Sequence, residues 1–463
     1  MEQLDLIKTI PPEVLEVLNA LEAAGFAAYC VGGSVRDTLM AAMLAAPTIH
    51  THSQPSIADY DITSSAKPDQ LAAALPGYRL IDTGSAYGTM TVIVGANEIQ
   101  ITTFRADGEY TDGRHPDSVI FSTEIEADLS RRDFTINAMA YSPVRGLVDP
   151  FGGQADLASK TLRAVGNASE RLAEDGLRIM RALRFAATLG FMIDEELAEA
   201  LHQCKHLLAK VSVERIQVEL MKLLTADGEN LVPVLREYAD VLSVAIPEIA
   251  PMIGFEQHSP WHIYDVWEHT VQALAVSDSG DKFVRLALLL HDIGKPPTFT
   301  LDEDGRGHFY AHAPVGADMA FARLQAMHFG NRTIDLTCEL IRTHFATITP
   351  DIIRRWLRRL GEEQLRRLLA IKLADYLASS EQSVQHSVPE VLLCIEALNR
   401  AIEEDACFTL AQMEINGDDL IALGVDPGPG LGQILETLLT AIVDGELLNE
   451  HQQLLEAARR LVE

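Results

Sequence analysis

The hydrophobic pattern of this 463-residue chain changes once, near residue 155, and that change limits the folds open to it. Before it, two periodicities alternate. Leu15, Leu18, Leu21 and Ala24 recur at helical spacing, whereas Thr89 to Val94 and Ile99 to Phe104 are short β-prone runs bounded by Gly and Asn. After it, helical periodicity dominates and strand signals nearly vanish. The pattern predicts an α/β domain at the N-terminal end followed by an all-α part. At roughly 100–200 residues per domain, about three domains are expected. Residues 41–58, rich in Ala, Pro, Ser and Thr, read as a loop. His50 and His52 within it read as solvated residues, with metal binding as the alternative. No internal repeat or low-complexity tract interrupts the pattern.

Charge sets a second limit. Asp and Glu number 67 against 37 Lys and Arg, a net charge of −30. A chain this acidic is a poor nonspecific nucleic-acid binder, because phosphates reward a basic surface. An RNA function therefore requires local basic patches. Residues 131–184 carry nine basic and six acidic side chains, and residues 354–372 carry seven basic and two acidic. Either segment could meet RNA phosphates, and a solvated helix face is the alternative for the second. The five cysteines are scattered without a C-x-x-C pair, which points to reduced thiols and no cysteine zinc site. The first residues lack a basic-then-apolar signal pattern, and apolar runs such as Leu286 to Leu290 are far shorter than the ~20 residues of a membrane helix. A soluble, cytoplasmic protein without a membrane partner is expected.

Four motifs in the first 185 residues carry chemistry. Tyr29-Cys30-Val31-Gly32-Gly33-Ser34-Val35-Arg36-Asp37 reads as a strand, a glycine turn and a helix start. Amides exposed at such a turn suit a phosphate chain, and Arg36 adds a planar charged fork. Asp59-Tyr60-Asp61-Ile62 places two carboxylates two residues apart, on one face of a strand. Like charges on one face are costly unless a cation sits between them, and hard oxygen ligands suit Mg²⁺. A polar strand edge is the alternative. Arg131-Arg132-Asp133-Phe134-Thr135-Ile136-Asn137-Ala138 is the third motif. In the fourth, Asp175, Arg178, Arg181 and Arg184 recur every three residues, with Glu174 four before Arg178. On a helix this is a slowly winding polar stripe, whose alternative is a salt-bridged solvated face.

The glycine turn followed by the aspartate pair resembles the layout of the polymerase-β nucleotidyltransferase superfamily. GGSVRD, DYDI, RRDFTINA and EDGLRIMRALRF, in this order, resemble the class II tRNA nucleotidyltransferases, the CCA-adding enzymes, as do DGRHPDSVIF from Asp112 and VDPFGGQADL from Val148. This likeness covers residues 25–220 closely, and Ile415 to Leu435 resemble the tail of one bacterial branch. It implies that Asp59 and Asp61 hold Mg²⁺, that Gly33, Arg36 and Arg132 hold the nucleotide, and that Asp175 and Arg178 read the edge of the incoming base in place of a template. Arg181 and Arg184 would serve phosphate binding or support. The implied partners are tRNA, CTP and ATP. CC-adding or A-adding specialists and poly(A) polymerase share these motifs and stay open. The chain departs from the family in two places. The link between Asp37 and Asp59 is longer than usual, and Gln100 stands where many members carry a carboxylate, with Glu98 a weak substitute.

A second series lies further on. Trp267-Glu268-His269-Thr270, the run Leu286 to Leu290 ending in His291-Asp292-Ile293-Gly294-Lys295, then His312, His344 and Asp375 resemble the HD metal-dependent phosphohydrolases. That likeness implies His269, His291, Asp292 and Asp375 as ligands of a divalent transition metal, with His312 and His344 available to a second ion. A degenerate HD fold kept as an RNA-binding body is the alternative, and an HD phosphohydrolase with an RNA-binding head is another. The expected organisation is a polymerase-β-like nucleotidyltransferase head over 1–150, a helical neck over 151–250, an HD-type helical body over 251–380 and a helical tail over 381–463.

Overall fold

The computed structural model describes residues 10–44, 60–108, 118–404 and 407–462. The chain divides into two compact units, Met1–Ala226 with Asp240–Ala245, and Asp227–Ala239 with Ile246–Glu463.

The first unit is built on a seven-stranded mixed sheet. Its strands are β1 (Ala28–Val31), β2 (Asp61–Ser64), β3 (Arg79–Gly84), β4 (Thr89–Val94), β5 (Asn97–Thr103), β8 (Ala140–Ser142) and β9 (Gly146–Val148), while β6 (Arg105–Asp107) and β7 (Val119–Phe121) form a separate antiparallel ribbon. The order is β3-β4-β5-β2-β1-β8-β9. β1 lies between β2 and β8, and all four of its residues are buried, as expected of a strand covered on both faces. β5 alternates instead: Ile99, Ile101 and Thr103 face the core, and Glu98 and Gln100 face solvent. Helices α1 (Pro12–Ala23), α2 (Gly33–Leu44), α3 (Pro68–Ala74), α4 (Ile125–Ser130) and α5 (Gly153–Ser159) accompany the sheet. α1 buries Val14, Val17, Leu18 and Leu21, the stripe its spacing implied. α2 runs to Leu44, so its helix takes in the first residues of the expected 41–58 loop; the rest of that loop, with His50 and His52, lies outside the described residues. Next come α6 (Ala168–Glu174), α7 (Leu177–Leu189), α8 (Glu195–Cys204) and α9 (Val213–Leu224). β10 (Thr161–Leu162) and β11 (Met192–Ile193) pair in parallel among them, a small strand pair that helical periodicity hid.

The second unit is helical apart from one antiparallel pair, β12 (Phe299–Leu301) with β13 (Gly307–Phe309). After α10 (Gly228–Glu237) and α11 (Ala239–Ala245, which straddles the division), its helices are α12 (Val266–Val276), α13 (Lys282–Leu290), α14 (Lys295–Thr298), α15 (His312–Ala326), α16 (Asn331–Thr343), α17 (Ile353–Leu360), α18 (Glu362–Leu377), α19 (Glu381–Glu403), α20 (Gly417–Ala422), α21 (Pro429–Val443) and α22 (His451–Val462). Two aspartates fix where the central helices begin. Asp265 accepts from the amide of Glu268 and Asp281 from those of Phe283 and Val284, so each satisfies amides that a helix start leaves unpaired. α13 buries every residue from Val284 to Leu290, including Arg285. Cys407, Ile415, Leu420, Leu438, Leu439 and Leu454 form a separate small core at the end of the chain. Among the described residues, no helix is long and apolar enough to cross a membrane.

Candidate functional site

Strand register builds the site of the first unit. Val31, the last residue of β1, lies opposite Asp61, the first of β2, in an antiparallel pair. The chain leaves β1 through Gly32 and Gly33 straight into α2. Gly32 has φ +75°, a left-handed conformation that favours glycine. A Cβ on Gly32 would sit 3.1 Å from a terminal nitrogen of Arg132. Asp61 is thus held beside the glycine turn, exposed to solvent, while Ile62, Thr63 and Ser64 behind it are buried. On the parallel side Asp61 is in register with Gln100, so the neutral amide occupies the strand position next to the carboxylate. Asp59 lies outside the described residues.

Arg36 and Arg132 flank the turn. Arg36 is buried, donates to Asn137 Oδ1 at 2.7 Å and pairs with Asp37 at 2.8 Å. Asn137 in turn donates to Asp133 Oδ1 at 3.1 Å, and Asp133 Oδ2 accepts from Arg181 Nε at 2.8 Å. This buried polar chain runs from the glycine turn to α7. Burial alone would raise the Asp133 carboxyl, but Arg181, Asn137 and Arg178 outweigh it and hold the group at about 2. Arg132 reaches Asp128 at 3.2 Å, yet its Nε is buried with no hydrogen-bond partner among the described residues. An unpaired buried donor beside the turn suits an incoming anion.

The two helices of the fourth motif are joined at Asp175. Its carboxylate accepts from the amide of Leu177 at the start of α7 and takes a bidentate ion pair from Arg215 of α9, at 2.6 and 3.1 Å. Arg178 is buried and donates to Glu174 and to the carbonyls of Arg171 and Arg131. Its two terminal nitrogens make these bonds. Arg181 is tied to Asp133, and Arg184 to Glu219. The rings and forks stack as well: Arg184 lies 3.7 Å over Phe185, with Arg36 and Arg181 at 5.1 and 5.2 Å from the same ring. The polar stripe is therefore an internal ion-pair network.

The second unit gathers all six residues of the other series. His269, His291 and Asp375 form one group of donors, and Asp292, His312 and His344 a second. Asp292 stands between them. Its Oδ2 is 3.2 Å from His291 Nε2 and 3.6 Å from His269 Nε2, and its Oδ1 is 3.8 and 4.0 Å from the Nε2 atoms of His312 and His344. Each histidine turns Nδ1 to a backbone carbonyl: His291 to Leu288 at 2.7 Å, His312 to Phe309 at 2.9 Å, His344 to Ile341 at 2.6 Å and His269 to Ala378 at 3.3 Å. These carbonyls fix the ring orientations and aim every Nε2 at the cluster. Burial, with His291 alongside, pushes His344 down to about 3, leaving the neutral imidazole that ligates metals. Asp292 Oδ1 is buried with no hydrogen-bond partner among the described residues, and the donor set around it fits a divalent cation.

Two backbone features hold this cluster. Ala311, in the left-handed region at φ 61°, turns the chain into α15 so that His312 opens the helix. Gly294 packs where a Cβ would lie 2.2 Å from the carbonyl of His312. Lys295, almost fully buried, is 2.7 Å from Asp292 Oδ2 and donates to Gln257 Oε1 at 2.8 Å.

Comparison with known proteins bears on the family of the whole chain. Residues 28–163 match the poly A polymerase head domain, residues 190–253 the probable RNA and SrmB-binding site of polymerase A, and residues 315–458 tRNA nucleotidyltransferase domain 2. The CCA-adding enzyme of Levilactobacillus brevis is 33% identical over 442 residues, covering 95% of this chain and 96% of that one. That of Streptococcus pneumoniae is 35% identical over 442 residues, 95% of each. The chain belongs to the class II CCA-adding enzyme family. Among solved structures, the Bacillus stearothermophilus CCA-adding enzyme in complex with CTP superposes with a TM-score of 0.68 at 27% identity, over 97% of both chains.

Within this class II enzyme, the side chains of the basic segment 354–372 are largely engaged within the second unit. Arg354 pairs with Glu404, Arg355 with Asp444, Arg358 with Glu436, Arg366 with Glu362 and Arg367 with Asp281, while buried Lys372 donates to the carbonyls of His344 and Ala346. Three of the paired acids, Glu404, Asp444 and Glu436, lie far along the sequence, and Glu362 lies within the segment itself. Arg215, Asn137, Gln257 and His262 escaped the sequence reading. Asn137 stood inside a quoted motif. His262, seven residues before His269, packs its ring 5.2 Å from that ring, and nothing in its spacing marked it.

Proposed function

We propose that this chain adds CCA to the 3′ end of tRNA from CTP and ATP, without a nucleic-acid template. The observation that carries this reading is the register that sets Asp61 opposite Val31, beside the Gly32–Gly33 turn, in a chain alignable with CCA-adding enzymes over nearly its whole length. Asp59 and Asp61 would hold Mg²⁺ above the triphosphate. Divalent cations held by these carboxylates would supply charge to activate the RNA 3′-hydroxyl and to steady the leaving pyrophosphate. The chain's own groups do the rest. The amide of Gly33 with Arg36 and Arg132 hold the phosphates, and the buried Arg132 Nε gains a partner when they arrive. Asp175 and Arg178 present an acceptor and donors to the edge of C or A, while Arg181 and Arg184 brace the helix that carries Arg178. The described five free cysteines accord with a cytoplasmic place of action. The proposed division of labour is a head (1–150), a neck (151–250), a body (251–380) and a tail (381–463).

The deciding experiment supplies tRNAs lacking one, two or three terminal nucleotides with labelled CTP, ATP or both. Uptake of both that stops after A supports the reading. A long A tract would replace it with poly(A) synthesis, and uptake of one nucleotide alone with a CC-adding or A-adding specialist.

A second reading concerns the body, where six donors converge around Asp292. We infer an HD-type site for one or two divalent metals that hydrolyses phosphate esters. A bound metal there supplies charge to activate water and to polarise the phosphoryl group.

A further inference from the structure

We propose that Phe185 is a positioning residue for the incoming triphosphate: the face of its ring holds the Arg36 guanidinium in place without neutralising it. The proposal rests on the reading that Arg36 meets the phosphates, and it gives a role to the one large ring of α7.

Phe185 is buried near the end of α7, one residue after Arg184. Three guanidinium carbons lie over its ring: that of Arg184 at 3.7 Å, that of Arg36 at 5.1 Å and that of Arg181 at 5.2 Å. An aromatic face carries negative charge density and attracts a cation within about 6 Å of its centre. Phe134, itself fully buried, packs against the ring edge to face, 5.8 Å away and 81° from parallel, and so fixes its tilt.

The three arginines differ in what else holds them. Arg181 pairs with Asp133 and Arg184 with Glu219, and those carboxylate side chains are only 8% and 7% exposed. Each of these cations has a buried counter-charge, which suits it to bracing α7. Arg36 is placed otherwise. Its carboxylate partner is Asp37, whose side chain is 45% exposed, and an ion pair so open to water contributes little. Its other bond runs to Asn137 Oδ1 at 2.7 Å, a neutral acceptor.

That difference matters for an anionic ligand. A buried carboxylate would fix Arg36 firmly, but it would also repel the phosphates that Arg36 has to meet. A neutral amide oxygen and a ring face orient the guanidinium and leave its positive charge for the ligand. Crowding three cations costs something in return. Burial above all, with Arg181 and Arg36 adding to it, pushes the Arg184 guanidinium below its ordinary value against the pull of Glu219. An anion arriving beside Arg36 relieves that repulsion. Leucine would fill the same space and offer no charged face.

The test replaces Phe185 in the full chain by phenylalanines bearing one, two and three ring fluorines, which nearly keep the shape of the side chain and draw charge off its face step by step. Calorimetric titration with CTP and Mg²⁺, without tRNA, reads affinity apart from turnover. Affinity should fall with each fluorine and reach about a tenfold loss at three, equivalent to about 1.4 kcal/mol. Phe185→Leu should lose as much as the trifluoro form. At saturating CTP, kcat with tRNA lacking its last three nucleotides should stay at the parental level across the fluorine series. In an Arg36→Gln background the series should have no effect on CTP affinity, because the cation it acts through is gone. Affinity indifferent to fluorination, with a loss in Phe185→Leu alone, makes the ring a packing residue and overturns the proposal. So does a full fluorine response in the Arg36→Gln background, which traces the effect to Arg181 and Arg184. A chain that binds CTP in this ring-dependent way yet adds nothing to tRNA refutes the proposed function and leaves the role of Phe185 standing.

Discussion

Arg215 grips both carboxylate oxygens of Asp175, at 2.6 and 3.1 Å, across the 40 residues that separate them in sequence. The pair fixes the orientation of the group proposed to read the incoming base. Arg215→Ala should release the carboxylate to rotate, lowering preference for CTP and ATP over UTP and GTP by at least about tenfold, or about 1.4 kcal/mol. Asp175→Ala should relax the same preference and leave metal binding at the head intact. Single-nucleotide incorporation kinetics with all four triphosphates checks both, and an unchanged preference removes the base-reading role.

Gly32 is placed at φ +75° with Arg132 3.1 Å from its missing Cβ. Gly32→Ala should therefore cost about 1 kcal/mol or more in stability from backbone strain alone. It should also displace Arg132 from the turn and raise KM for the triphosphate more than it lowers kcat. Thermal melting and steady-state kinetics with CTP test the two effects separately.

Asp133 shows how buried charge ties the unit's stability to pH. Its carboxyl is held at about 2 in the folded chain, below its ordinary value, so the folded state favours the ionised form. The stabilisation is about 2 kcal/mol, fully present above pH about 4 and lost as pH falls towards about 2. Asp133→Asn should be less stable at neutral pH, because Arg181 then lacks its partner, and should lose less on acidification. Denaturation midpoints at pH 7 and pH 3 for both proteins give the comparison.

Much of this was readable from residue order, and the unread parts share a cause. α1 and β5 stood in their own periodicity, because α1 buries one stripe and β5 one face. The six donors of the body were named from sequence, and the fold brings all six together. Long-range pairing was not readable. Nothing local to Arg215 points to Asp175, nor does anything near Arg355 point to Asp444, 89 residues away. For the same reason a count of cations over 354–372 left an RNA surface and a charged helix face both open, and could not show the ion pairs that the fold makes there. The short β10–β11 pair was missed because two residues per strand leave no period to detect.

The body's metal can be tested without any assay of turnover. His291 Nε2 lies 3.2 Å from Asp292 Oδ2, and Asp292 Oδ1 is buried with no hydrogen-bond partner among the described residues, which burial alone would disfavour. His291→Ala should lower divalent transition-metal content to a small fraction of the parent's, while CCA addition by the head persists. Gly294→Ala should do the same by driving the turn away from His312, since its Cβ would lie 2.2 Å from that carbonyl. Elemental analysis of the purified proteins decides, and equal metal in parent and variants refutes ligation by His291.

Nucleotidyl transfer at Asp61 is tested most directly by incorporation of labelled CTP and ATP, with Mg²⁺, into tRNA that lacks all three terminal nucleotides. The parent should add two C residues and one A and then stop. Asp61→Asn, which keeps the side chain's shape and removes its charge, should slow the first addition by about a thousandfold, close to 4 kcal/mol of barrier. Addition at the parental rate by Asp61→Asn would place the chemistry elsewhere in the chain.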